Sequence, residues 1–110
     1  MKIKVIVKRP EEDYGRMLEI ENELSVFQKI VGGYIETTGR KDLIIICNEE
    51  GKLRGMKPNL VFGTDLIVGT IIVCGASGDE FTDVPITFDK WKRIVDMSGT
   101  EIWKAFEKRQ

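Results

Sequence analysis

LIIIC (Leu43–Cys47) and LIVGTIIVC (Leu66–Cys74) are the two stretches whose reading decides the fold. Neither alternates apolar with polar residues. Short continuous apolar runs of this kind belong to central strands covered on both faces. Within the second run, Gly69 marks a bulge or a point where something approaches the backbone closely. Two central strands require neighbours on either side and a layer above and below.

The neighbours are readable outward from there. Near the N-terminus, Ile3, Val5 and Val7 alternate with Lys2, Lys4, Ile6 and Lys8, the two-residue period of a strand with one buried face. RPEEDYG (Arg9–Gly15) supplies a solvated turn, and Arg16–Ile20 returns as a second extended piece. From Asn22 the period becomes helical, with Leu24, Phe27, Ile30 and Val31 on one face. Asn22 is the expected N-cap, and Gly32-Gly33 ends the helix. Tyr34–Thr38 and Asp42–Cys47 then form a hairpin through TGRKD.

The last third is helical again. Phe88, Trp91, Ile94 and Val95 share a face behind a Thr87 cap. Ser98-Gly99-Thr100-Glu101 fits a capping box for a final helix striped by Ile102, Trp103 and Phe106. The expectation is one α+β domain over residues 1–110: a mixed or mostly antiparallel sheet of four to six strands, one early helix, and one or two C-terminal helices.

Composition narrows the function classes. With 17 basic and 18 acidic residues the net charge is −1, without the basic excess that phosphate neutralisation demands of a duplex-DNA binder. Nucleic acid is not an expected partner, and neither is a membrane. MKIKVIVKRP has too short an apolar part for a signal peptide, and Leu66–Ala76 falls far short of the roughly 20 apolar residues of a membrane helix. A soluble cytoplasmic protein is expected. There is no histidine, so the usual neutral-pH general base and the commonest zinc ligand are missing. Cys47 and Cys74 each close an apolar run, where a free cysteine acts as a small hydrophobe. No metal, no cofactor and no catalytic residue is expected, and the protein is read as a non-enzyme.

The candidate binding residues cluster at two junctions. In VGGYIE (Val31–Glu36), Gly33 would let a ligand approach the main chain and Tyr34 would stack on it. The alternative there is a helix C-cap feeding a strand. In CNEEGKLRGMKPN (Cys47–Asn59), CNEEG has the residues of a turn, and its adjacent Glu49 and Glu50 diverge too far for paired acid–base work. KLRGMKPN has less structural need for its charges. Lys52 and Arg54 would contact a phosphate or carboxylate, while Asn48 and Asn59 would read a base or sugar. A merely solvated loop is the competing reading. CGASGDEF (Cys74–Phe81) could form an anion nest, but Ser77 has neither the G-x-S-x-G elbow nor a histidine to activate it.

The order of VGGYIE, CNEEGKL, the G-x-x-x-N step Gly55–Asn59 and the I-x-G-T step at Val68–Thr70 resembles a family of small uncharacterised domains of bacteriophages and bacterial mobile elements. The likeness covers roughly Ile20 to Gly75, and Thr70, which closes the I-x-G-T step, is counted in the candidate site. The segment between Asn59 and Ile67 is compact here, where relatives are expected to carry a longer polar insertion. The resemblance implies a cytoplasmic setting in a bacterial host, and no activity. The expected function is a non-enzymatic, homo-oligomeric protein that binds a small nucleotide-derived host defence signal. A module that binds a host protein is the alternative, and a histidine-free enzyme the remote one.

Overall fold

The computed structural model describes residues 1–40 and 42–107, with the side chains of the last helix described through Ser98. Along the chain run β1 (Lys2–Lys8), β2 (Arg16–Glu21), α1 (Leu24–Val31), β3 (Ile35–Arg40), β4 (Leu43–Asn48), β5 (Pro58–Phe62), β6 (Asp65–Val68), β7 (Ile71–Ser77), β8 (Glu80–Thr82) and α2 (Phe88–Glu107). The main sheet has six strands in the order β2-β1-β7-β4-β3, with β8 attached to β7, and every pairing is antiparallel. β5 and β6 form a separate two-stranded sheet.

The expected double coverage of LIIIC is present. Ile46 joins Val5, Val7, Ile72, Phe27 and Val31 in a core beneath α1. Ile45 joins Ile6, Val73, Leu60, Ile67 and Trp91 in a second core beneath the β5–β6 hairpin and α2. Successive strand residues point to opposite faces, so neighbours such as Ile45 and Ile46 belong to different cores. The result is three layers, with the sheet in the middle.

Three local expectations are corrected. LIVGTIIVC is not one strand: β6 ends at Val68, β7 begins at Ile71, and the two lie in different sheets. Gly69 is the pivot, with a positive φ of 76° that a side chain would strain. A Cβ there would also meet the Met56 Sδ at 2.8 Å, so the close-approach reading of Gly69 is the right one. Asn22 does not cap α1. Its Nδ2 donates to the Phe81 carbonyl at 2.9 Å, and the cap position is Glu23, which makes no side-chain capping bond. The backbone is helical straight through Ser98–Glu101, so of the one or two C-terminal helices expected there is one, of 20 residues, and the capping box starts no second helix. The stripe Ile102, Trp103 and Phe106 lies beyond the described side chains.

Other expectations hold. Thr87 Oγ1 accepts from Lys90 N at 3.2 Å as an N-cap, and Trp91 is fully buried. Gly32 closes α1 in the left-handed conformation, φ 84°. Beyond the solvated turn expected, the Arg9–Gly15 loop docks on α2: Trp91 Nε1 donates to the Tyr14 carbonyl and the Tyr14 hydroxyl to Asp96, each at 2.8 Å.

Candidate functional site

Four of the seven candidate residues meet at the end of α1. A helix leaves its last carbonyls without intrahelical partners, and buried carbonyls need donors. Gly32 N and Gly33 N donate to Gln28 O at 2.8 and 3.0 Å. Asn48, 4% exposed at the end of β4, donates from Nδ2 to Val31 O at 3.1 Å and accepts Glu50 N on Oδ1 at 2.8 Å. Arg54 donates from Nη1 to Gly32 O at 3.0 Å. Gly33 is required by closeness, since a Cβ would stand 2.9 Å from Asn48 Nδ2. Tyr34 enters β3 with its carbonyl accepting Glu49 N at 2.8 Å and its side chain 66% exposed. These bonds tie the helix end to the β4 turn, as the helix-cap reading requires.

Asn59 lies elsewhere. Its Nδ2 donates to both Lys8 O (2.9 Å) and Gly69 O (2.8 Å), and its Oδ1 accepts Lys8 Nζ at 2.8 Å. Lys8 is 3% exposed, beneath the β5–β6 hairpin. Burial lowers its pKa, and the acids Glu12, Asp13 and Glu11 only partly offset this. A strand that reads Lys-Ile-Lys-Val-Ile-Val-Lys hides this lysine, because Lys2 and Lys4 on the same face are exposed. Apolar Ile6, between Lys4 and Lys8 on that face, was the available signal. Thr70 follows Gly69 and is half-buried. Asn59 therefore serves the Lys8 anchor while Arg54 serves the helix end, and each has a structural partner.

A cleft of about 180 Å³ lies between the β3–β4 hairpin and β6. Its walls include Glu36, Cys47, Asn48, Glu49, Lys52 and Asp65, so Asn48 and Lys52 are the candidate residues that line it. Lys52 Nζ is 3.1 Å from Asp65 Oδ1 across the mouth, with both side chains exposed. Three carboxylates thus face one ammonium. Cys47 Sγ is half-buried, and its thiol pKa is pushed up by burial and then by Glu36 and Asp65. Both cysteines are free, and burial raises the Cys74 thiol to about 12. Glu36 was detectable in principle, because the hairpin register sets it opposite Cys47. Asp65 was not, because only the folding of the β5–β6 hairpin brings it there.

Among the described residues, no three His, Cys, Asp or Glu side chains come together as metal ligands, and no helix is long and apolar enough to cross a membrane. No curated protein and no solved structure matches the chain. One family model does, over residues 1–96, which spans the sheet, α1, the hairpin and the start of α2. The chain belongs to that family, a domain of unknown function (DUF3846).

Proposed function

We propose that this chain is a non-enzymatic binding protein whose ligand enters the cleft between β3, β4 and β6. The observation that carries the reading is the convergence of Glu36, Asn48, Glu49, Lys52 and Asp65, drawn from four segments, on one small concave surface. Its volume lies below the roughly 300–1,000 Å³ of sites for drug-sized ligands, so the occupant is a small polar molecule or one arm of a larger one. Three carboxylates favour a ligand that presents hydrogen-bond donors, such as an amine or the amino edge of a nucleobase. Phosphate is less suited, since Lys52 is paired with Asp65 and Arg54 with Gly32 O.

The raised Cys47 pKa supports the non-enzymatic reading, because a thiol held protonated is a poor nucleophile. Within this reading, the narrower form is capture of a nucleotide-derived host signal by a phage or mobile-element protein, held by its base rather than its phosphates. A protein-binding module is the second reading. Met17 and Leu18, exposed on the edge strand β2, favour it.

Titration calorimetry against two panels tests the proposal: cyclic and ADP-ribose-type nucleotides, and small diamines and nucleosides. Binding that is weakened in Asp65→Asn and Glu36→Gln, with the ligand recovered unchanged, supports it. Failure of both panels to bind more tightly than millimolar sinks the ligand reading. A stoichiometric host protein captured by the wild type and lost in Leu18→Glu would favour the alternative.

A further inference from the structure

The main sheet ends in two strands, β2 and β3, and among the described residues no strand pairs with the outer edge of either. An unpaired edge is a template for another strand, and natural proteins usually block it. The two edges differ in what a second copy of the same chain would meet.

Two identical antiparallel strands related by a two-fold axis keep their faces. Residues that stand opposite one another must therefore share parity along the chain. On β2, Arg16 is even-numbered while Glu19 and Glu21 are odd, so no symmetric register brings the cation to an acid. On β3, Glu36, Thr38 and Arg40 lie on one face, because they pair with Cys47, Ile45 and Leu43 of β4. One symmetric register sets Glu36 against Arg40 of the second copy, twice, with Thr38 against Thr38 at the axis. Opposite charges and threonine pairs are the favourable cross-strand combinations. Neighbouring registers lose this match: one sets Glu36 against Glu36, another against Thr38.

The backbone agrees. Tyr34 O accepts from Glu49 N, so the groups of Tyr34, Glu36, Thr38 and Arg40 point inward to β4 by the alternation of an antiparallel ladder. The amides and carbonyls of Ile35, Thr37 and Gly39 then point outward. In the same register Thr37 stands opposite Gly39 of the second copy; Gly39 itself is required by its own hairpin, since its φ is 142° and a Cβ there would meet Leu43 O of β4.

We infer that β3 pairs with β3 of a second copy through Glu36–Arg40 and Thr38–Thr38 contacts, joining two six-stranded sheets into one. Glu36 also lines the cleft, so the second copy adds its Arg40 to that wall. The inference does not depend on what the cleft binds, and its test reads mass without ligand.

Analytical ultracentrifugation of the full chain is expected to show a dimer. Glu36→Arg and Arg40→Glu should each abolish it, and the double charge swap should restore it. Both side chains are exposed, so neither change threatens the core. As an independent check, Thr37→Pro removes only an outward N–H and should also yield a monomer. In a Cys47→Ser background, Thr38→Cys should cross-link on oxidation, whereas Glu36→Cys, displaced from its own copy along the strand, should not. A wild-type monomer up to the solubility limit, a dimer untouched by Glu36→Arg, or cross-linking by Glu36→Cys in place of Thr38→Cys overturns the inference.

Discussion

Asn48 and Asn59 stand near the two ends of one loop and use the same side chain for opposite electrostatic tasks. Asn48 is neutral among neutral groups, holding the last carbonyl of α1 and the amide of Glu50. Asn59 holds two carbonyls and a buried ammonium. A buried amide that satisfies carbonyls secures geometry alone. One that also solvates a cation makes the geometry depend on charge. The loop that offered itself as one ligand cradle is thus a pair of anchors, and the cleft lies beside the neutral one.

The largest effect should come from the charged anchor. Asn59→Ala leaves two carbonyls without their donor and takes from the Lys8 ammonium its shortest contact, leaving it Arg9 O and the Asn59 main-chain O at 3.4 and 3.5 Å, at a cost of about 3 kcal/mol. Chemical denaturation would measure it, and a loss under about 1 kcal/mol would show that water replaces the amide. Adding Lys8→Met should recover part of the loss, because the two residues share one interaction.

Asn48→Ala should cost less, about 1–3 kcal/mol, since only uncharged groups lose their partner. It should also weaken any ligand bound in the cleft, which Asn59→Ala should affect only through folding. Equal losses of binding in folded samples of both variants would break the distinction between the anchors.

The two should differ in pH response as well. Lys8 has a folded pKa below its unfolded value, so between those values the unfolded chain binds more protons and stability rises with pH. Below that window the burial cost is present in full. Tyr14 acts in the opposite sense near its ordinary 10.0, because its hydrogen bond to Asp96 raises its pKa. The difference between wild type and Lys8→Met removes the tyrosine contribution and should leave a gain in stability as the pH climbs toward 10.5. A flat difference would mean that Lys8 is not the source. Smallest of all, Arg54→Ala should cost about 0.5 kcal/mol or less, the scale of exposed surface changes.

The sequence carried the fold well where one period or one neighbour decides. Ile3, Val5 and Val7 gave β1 its buried face, and LIIIC announced coverage on both sides. Thr87 and Gly32 punctuated their helices as expected. It misled where a local signal was outweighed. Asn22 has the chemistry of a cap, but Phe81 O lies within reach of its amide. Ser98–Glu101 spells a capping box, yet the helix runs through it. The candidate site was partly legible: Asn48 and Lys52 do line the cleft, while Arg54 and Asn59 are committed to separate backbone carbonyls.

By itself, then, the sequence determined β1 to β4, α1, the start of α2, the double-sided core and the lack of histidine, because these follow from period and composition. Only the tertiary structure decided that LIVGTIIVC breaks at Gly69, which swings β6 out of the main sheet and over it. That break brings Asp65 to the cleft and sets Asn59 against Lys8, residues 51 positions apart. No local pattern encodes such pairings. They arise because a buried ammonium and orphaned carbonyls must find partners wherever the chain's packing has placed them.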